Sequence, residues 1–342
     1  MRFSAVAAIV VLTVFAGGPL RAQTEIAKYG GEFMATGFGG RALGMGGAGV
    51  AIAGDVTAAY WNPAGLMRTQ YPEIGLMHEQ RFGGLLSSNY GGVAWPFGPK
   101  YTLALSVTRM GVDDIPDTRD ALIDLNGNGQ LDPNERLDPS KVRSFSSADW
   151  VAYLTYAFRS SDRLALGVNL KLLARDLLDA SAMGVGFDIG AQYRATDALS
   201  LGATVQDVTT TLMAWSTGRN ELVSPTLKIG AGYALGFLGG TVTPALDFDI
   251  MFENRRFASA FNVGAVSVNP RAGLEYRYKN VFALRGGYSD TQDLTFGAGI
   301  HLPKLYLDYA YGQNDLFSAF ADASHRISLR VVLEEAKFER KQ

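Results

Sequence analysis

One stretch of this 342-residue chain holds residue types at spacings suited to binding a metal ion. Asp124-Leu125-Asn126-Gly127-Asn128-Gly129-Gln130-Leu131-Asp132-Pro133-Asn134-Glu135 matches a twelve-residue calcium loop at positions one, three, five, six, nine and twelve. Calcium takes six to eight oxygens. Asp124, Asn126 and Asn128 would supply side-chain oxygens, Gly129 the sharp turn, Gln130 its backbone carbonyl, Asp132 an oxygen through water, and Glu135 both carboxylate oxygens. An acidic, asparagine-rich turn that needs no ion is the plainer alternative. Pro133 and the lack of a clear second helix argue against a paired sensor, so the expected ion is structural.

A second stretch, residues 30–66, carries Gly44, Gly46 and Gly49 in the order of a dinucleotide fingerprint. That fingerprint needs a strand before it, a helix after it and an acidic residue about twenty positions on. The nearest downstream acid here is Asp55, and further glycines surround the motif. The glycines therefore read as places where backbone must pack closely. Asp55 is placed to cap a short helical turn through Tyr60 that Pro63 would end. His78, His301 and His325 show no metal spacing, and no nucleophile stands beside a base in a recognisable arrangement, so an enzyme is not expected.

The elements that must hold these stretches follow from the rest of the chain. Residues 1–22 place Arg2 before an apolar run ending near Ala16, then Gly17, Gly18, Pro19 and the small Ala22, the order of a secretion signal cleaved near Ala22. The run is too short to span a bilayer. Cysteine is absent, which excludes a lipid-modified cysteine and disulfides alike. With 31 basic against 33 acidic residues there is no net field to attract nucleic acid. No later segment is long and apolar enough for a membrane helix, so a membrane location requires a barrel.

Period-two alternation is the dominant pattern. Leu164, Leu166, Val168, Leu170 and Leu172 interleave with Ala165, Gly167, Asn169 and Lys171, and Met183 through Tyr193 alternate in the same way with Gly184 through Arg194. The pattern recurs at 101–107, 199–205, 227–233, 282–288, 294–300, 305–311 and 325–333. If the apolar face meets lipid, the other face lines a lumen, and Asp188, Arg194, Asp247, Asp249, Glu275, Arg277, Arg285 and Asp308 point inward. Such mixed charges read chiefly as pairing with one another and with a plug, and secondarily as a substrate path.

Connections at 98–100, 160–162 and 196–197 are tight, whereas 111–143, 176–180, 209–223, 252–269 and 312–323 are longer. Short turns on one side and long loops on the other suit an outer-membrane barrel with turns in the periplasm. The expected fold is an all-β, transmembrane antiparallel β-barrel of about 14 strands, with 257–268 as a possible further strand. Its expected parts are the signal at 1–22, a glycine-rich hatch at 23–70 inside the lumen, the barrel at 71–333 with the calcium-loop insertion at 111–143 in an extracellular loop, and a charged periplasmic tail at 334–342. Trp95, Phe97, Tyr101, Phe158, Tyr193, Tyr278 and Tyr311 sit near strand ends as interfacial girdles do, and Leu212, Met213 and Trp215 read as an apolar patch in an outer loop.

Gly40-Arg41-Ala42-Leu43-Gly44-Met45-Gly46-Gly47-Ala48, followed by Asp55, Ala58, Ala59, Tyr60, Trp61 and Asn62-Pro63-Ala64-Gly65-Leu66, resembles the N-terminal signature of the PorV/PorQ family of FadL-like outer-membrane barrels. Gly273-Leu274-Glu275-Tyr276, Leu284-Arg285-Gly286-Gly287-Tyr288 and His325-Arg326-Ile327-Ser328-Leu329 extend the likeness along the chain. The resemblance implies a fourteen-stranded barrel in a Gram-negative-type outer membrane, with a hatch marked by Asn62, Pro63, Ala64 and Gly65. It implies first a role in type IX secretion, handling secreted cargo proteins or meeting secretion components, and alternatively passive uptake of hydrophobic small molecules such as fatty acids or aromatic compounds. The charged tail and the long loop at 111–143 depart from the family pattern.

Overall fold

A computed structural model describes residues 23–26, 31–253, 255, 259–289, 294–313 and 323–340. The expected signal at 1–22 lies outside the described residues. Among the described residues, fourteen antiparallel strands form one closed sheet. In chain order they are β1 Glu73–Arg81, β2 Leu86–Phe97, β3 Tyr101–Asp117, β4 Arg143–Arg159, β5 Leu164–Leu177, β6 Ala180–Arg194, and β7 Leu199–Gln206 continued by Thr211–Trp215. Then follow β8 Arg219–Val223 continued by Thr226–Tyr233, β9 Gly240–Met251, β10 Val266–Tyr278, β11 Phe282–Ser289, β12 Leu294–Leu302, β13 Leu305–Gln313 and β14 Ala323–Val332. Each strand pairs with its sequence neighbour, and the sheet closes where Glu73 of β1 faces Val332 of β14.

The alternation decides which face looks where. In β5, Gly167, Asn169 and Lys171 are buried, whereas Val168 and Leu172 are 43% and 49% exposed. Leu103, Leu105 and Val107 of β3, and Leu305 and Leu307 of β13, project outward likewise. A two-sheet sandwich would bury its apolar faces against each other and show polar ones to water. Here the charged residues of the wall point inward, around an apolar cluster that includes Phe38, Tyr60, Trp61, Tyr90 and Tyr153, and the outer face is apolar, an arrangement that is stable only if hydrocarbon surrounds it. No helix among the described residues is long and apolar enough to cross a membrane.

Sequence and structure differ in the connections. Strands β3 and β4 stay paired beyond 111–143 inward to Asp117 opposite Arg143, with a bulge between Val112 and Ile115, because polar residues continue the ladder as well as apolar ones once both edges are in register. The 176–180 connection is only a tight turn through Leu178 and Asp179, Leu178 taking φ +48°. The 209–223 segment is paired strand, not loop, for Thr211 faces Val223. Within 257–268, Phe261–Val263 folds back on the start of β10 as a hairpin arm and adds no strand to the barrel; Phe257 and Ala258 lie outside the described residues.

At the short-turn end, Phe97 stacks on Tyr101 with centroids 5.3 Å apart, Tyr101 meets Tyr156 at 5.7 Å, and Tyr156 meets Phe158 at 5.6 Å, giving part of one aromatic rim. The tail folds back against the same end. Phe338 packs edge-on to Trp95, and Arg340, 3% exposed, donates from Nε to the Thr69 carbonyl at 2.9 Å. Leu172→Arg, which puts a charge on the apolar outer face away from the rim at Tyr156 and Phe158, is expected to lower folding stability in lipid vesicles by about 2–4 kcal/mol, read by reversible urea unfolding; an unchanged midpoint would place that face elsewhere than in hydrocarbon.

Candidate functional site

Residues 31–70 lie inside the ring of strands, and most are buried. Their local folds are short because glycine and proline interrupt every run. The Asp55 carboxylate accepts from the Thr57 amide at 2.9 Å and the Thr57 hydroxyl at 2.6 Å, starting a helical turn at Ala58–Trp61. Asn62 is extended, as the residue before a proline prefers, and the turn ends there. Tyr60 donates to the Met34 carbonyl at 2.6 Å and Trp61 to the Phe38 carbonyl at 2.7 Å, so the two large rings tie the segment to itself.

Asn62 then ties it to the wall. Its Nδ2 donates to the carbonyls of Val50 and Ala191 at 2.9 Å and to that of Ala203 at 3.3 Å, while Oδ1 accepts from the Ala64 amide at 3.1 Å. Pro63, Ala64 and Gly65 are likewise buried. This approach requires glycine on the wall. A Cβ at Gly167 would collide with the backbone of Pro63 and Ala64, and one at Gly190 with Asn62 and the Pro63 ring. The fingerprint glycines serve the same end, because Gly46 takes φ +65° and donates its amide to Thr295 at 2.9 Å.

Charge fills the remaining space. Glu275 receives Arg41 of the inner segment at 3.0 Å, Arg285 at 2.7 Å and Arg277 at 2.5 Å. Arg285 also meets Asp308 at 2.7 Å. Asp188 pairs with Lys171 at 2.7 Å, and Lys171 also contacts Asp207. Asp249 receives Arg271 at 2.9 Å and Lys228 at 3.5 Å, and Asp247 accepts the Val50 amide at 2.8 Å. Of the eight inward-facing charges expected from sequence, seven are thus drawn into contacts inside the barrel. The eighth, Arg194, sits at the short-turn mouth and donates only to the Asp162 carbonyl, at 3.2 Å.

Arg41, Asp207 and Arg271 were not singled out from sequence as lumen contacts. For Arg41 a signal existed: it is the lone charge between Glu32 and Asp55, and a charge enclosed by that much small apolar sequence needs a buried partner. Two cavities beside Arg41 and Asp55 measure about 20 and 10 Å³, about one water each. On the outside of the same wall, Gly167, Gly190, Ala191 and Ala203 floor an apolar groove of about 340 Å³, rimmed by Phe158, Val168 and Ile189.

The apolar patch expected at Leu212, Met213 and Trp215 is not a surface. Because the segment is strand, alternate residues turn inward: Met213 is 1% exposed, and Arg175 lies over the Trp215 ring at 5.8 Å.

The proposed calcium loop closes on itself. Leu122–Ile123 pairs with Arg136–Leu137 at its base, a ribbon in place of flanking helices. Asp124 accepts from the amides of Gly129 at 2.8 Å, Gly127 at 2.6 Å and Asn126 at 3.2 Å, led by Gly129 in holding its carboxyl below the usual carboxylate range. Asn126 and Asn128 accept from amides two residues on and donate to Asp132 at 2.6 and 2.9 Å, and the Asn128 oxygen takes the Gln130 amide. Glu135 accepts from the amides of Leu125 and Asp132. Among the described residues no group of three His, Cys, Asp or Glu is arranged to hold a metal ion. The donor set is nonetheless all hard oxygen, and rotating the two asparagine amides would turn their oxygens toward the Asp132 carboxylate's side of the loop.

A closed fourteen-stranded antiparallel β-barrel, with an apolar exterior and inward-facing charges, is the class that this geometry defines. Among solved structures the chain is similar to the Pseudomonas putida toluene transporter TodX, with a TM-score of 0.60 and 13% identity over 88% of this chain and 99% of that one. It is similar also to the Ralstonia pickettii toluene transporter TbuX, at 0.57 and 15% over 88% and 99%, and to the monoaromatic hydrocarbon channel CymD, at 0.56 and 14% over 88% and 98%. No protein-family model and no curated protein matches the chain.

Asn62→Ala removes every side-chain bond described above and leaves the Ala191 and Ala203 carbonyls facing a void. Amide hydrogen exchange over 50–66 is expected to speed by roughly one to two orders of magnitude, corresponding to about 1–3 kcal/mol of lost local stability; unchanged protection would show that the other contacts, among them those of Asn169 and Gln192, hold the segment without Asn62.

Proposed function

We propose that the chain is an outer-membrane channel for passive uptake of hydrophobic small molecules, with residues 31–70 as its hatch. The observation that carries this reading is the apolar groove over Gly167 and Gly190. At Gly167 and Gly190 the wall has no inward side chains, the hatch backbone lies immediately behind it, and a solute already dissolved in lipid has a short route to the interior. A polar solute would gain nothing from such a surface. The fold shared with TodX, TbuX and CymD supports the same reading, since those proteins are described as toluene transporters and a monoaromatic hydrocarbon channel. The barrel's lipid-facing outside supports placement in a Gram-negative-type outer membrane, with the short turns toward the periplasm.

A secretion role of the PorV/PorQ kind rests on the residues around Arg41 and Asn62-Pro63-Ala64 and stands second. The apolar patch that would have served as a docking surface is folded into β7, which removes its main structural support.

The two readings separate in one experiment. Proteoliposomes holding the purified protein are expected to take up labelled toluene or a fatty acid faster than empty vesicles and to ignore a sugar of similar mass. Ala203→Trp, which fills the groove from outside, is expected to slow that uptake several-fold. Uptake equal to that of empty vesicles, together with secreted polypeptides retained on purification, would favour cargo handling instead.

We also infer that 124–135 binds calcium, in the role of stiffening an outer loop. Hard oxygens at all six expected positions and the ribbon that clamps the loop's ends support it. Calorimetry on the whole protein is expected to show uptake with affinity near 10⁻⁴–10⁻³ M, as roughly befits extracellular sites, abolished by Glu135→Gln. Absence of heat at millimolar calcium would dispose of the idea.

A further inference from the structure

The arginines inside the barrel follow one rule and those at its short-turn mouth another. Arg41, Arg271, Arg285, Arg326 and Arg330 each lie within 3.0 Å of a carboxylate. At the mouth a polar cavity of about 430 Å³ opens between the hatch and the turns that follow β4 and β6, lined by Arg68, Arg159, Arg163 and Arg194. Among the described residues none of these four is in an ion pair, although Asp162 and Asp197 lie on the same lining. Arg68 donates to the Ala51 carbonyl at 3.1 Å and the Ser200 hydroxyl at 2.9 Å, Arg163 to the Ala195 carbonyl at 3.4 Å, and Arg194 to the Asp162 carbonyl. A guanidinium carries five N–H groups, and all four side chains are exposed, so most of their donors face the solvent-filled cavity.

The surroundings sharpen the imbalance. Partial burial, then the charges of Arg41 and Arg194, push Arg68 down to about 10. Arg340 of the tail is pushed down to about 10 by burial and then by Arg159. Four guanidinium groups share this lining with only two carboxylates, Asp162 and Asp197, which leaves the mouth net positive. A carboxylate offers a guanidinium pair two oxygens and one charge, whereas a phosphate offers more oxygens and up to two charges, which suits four converging forks better.

We propose that this mouth is a binding vestibule for a phosphate group, borne either by a small soluble molecule or by a lipid headgroup at the inner rim. The site is independent of what the channel transports; its assignment to the periplasm rests on the topology given above. The cavity is large enough for a headgroup-sized ligand, and Met67, Leu164, Ala198 and Ala234 give it an apolar side against which a glycerol backbone can lie.

The test uses the full-length protein in phosphate-free detergent. Inorganic phosphate and glycerol phosphate are titrated by calorimetry, and phosphatidylglycerol retained from nanodiscs is counted by native mass spectrometry. Arg163→Gln with Arg194→Gln touches no hatch contact and is expected to weaken binding at least tenfold, on the order of one charge-assisted hydrogen bond lost. Ala198→Asp adds a counter-charge while keeping every arginine and is expected to weaken it several-fold; heat-modifiable gel mobility checks that both variants remain folded. Binding should also fall as salt rises. Binding of the soluble phosphates identifies a free ligand, and binding of phosphatidylglycerol alone identifies a headgroup; either upholds the site. No binding of any of the three, or binding that both variants leave unchanged, overturns it.

Discussion

Inside this barrel a single carboxylate, Glu275, is gripped by three guanidinium groups, one of them brought by the hatch through Arg41. The contact follows from a constraint that hydrocarbon outside the wall imposes. Charges cannot lie on the outer face, so they gather inside, where they must be paired or pay the full cost of desolvation. Pairing wall to hatch solves both problems at once. Removing one partner of such a buried pair typically costs about 3–5 kcal/mol, because the other charge is left stranded. The inner segment is therefore held against the wall by electrostatics and by close backbone contacts such as those at Gly167 and Gly190.

The inner segment meets the wall on two sides. On the side of β10 to β12, Arg41 reaches Glu275, and the backbone of Gly44, Met45 and Gly46 lies against Gly273, Gly287 and Gly297. At β5 and β6, backbone lies on backbone at Gly167 and Gly190, and Asn62, Asn169 and Gln192 supply side-chain hydrogen bonds between the inner segment and the wall.

Much of the fold was legible in the sequence, for a definite reason. A lipid-facing strand must alternate strictly, and strands such as 164–172 and 183–193 have no freedom to hide that period. Connections were less legible. Residues 209–223 looked like loop because the interruption around Asp207 and Thr210, both at positive φ, breaks the period without ending the pairing. Three residues of β6, 186–188, lie opposite six of β7, 206–211, and nothing local to either segment reveals that. The inward charges were visible by phase alone, but which carboxylate meets which arginine depends on register between distant strands. Two of the mouth arginines escaped notice for the opposite reason: 159 and 163 sit at turn boundaries, where a charged residue is unremarkable until its neighbours are known, whereas 194 was visible by phase.

The clasp made by Arg340 bears on the order of events as the chain matures. Its partners are Thr69 and Gln70 at the end of the hatch, Gly98 in the first short turn and Thr102 of β3, all synthesised long before it. The seam between β1 and β14 likewise waits for the last strand. A hatch enclosed by that seam has to be in place when the sheet joins its own edge, and the clasp then locks the spot where hatch becomes wall. A polypeptide cut short after β14 keeps both edges of the seam but lacks the clasp that ties the tail to the spot where the inner segment becomes wall.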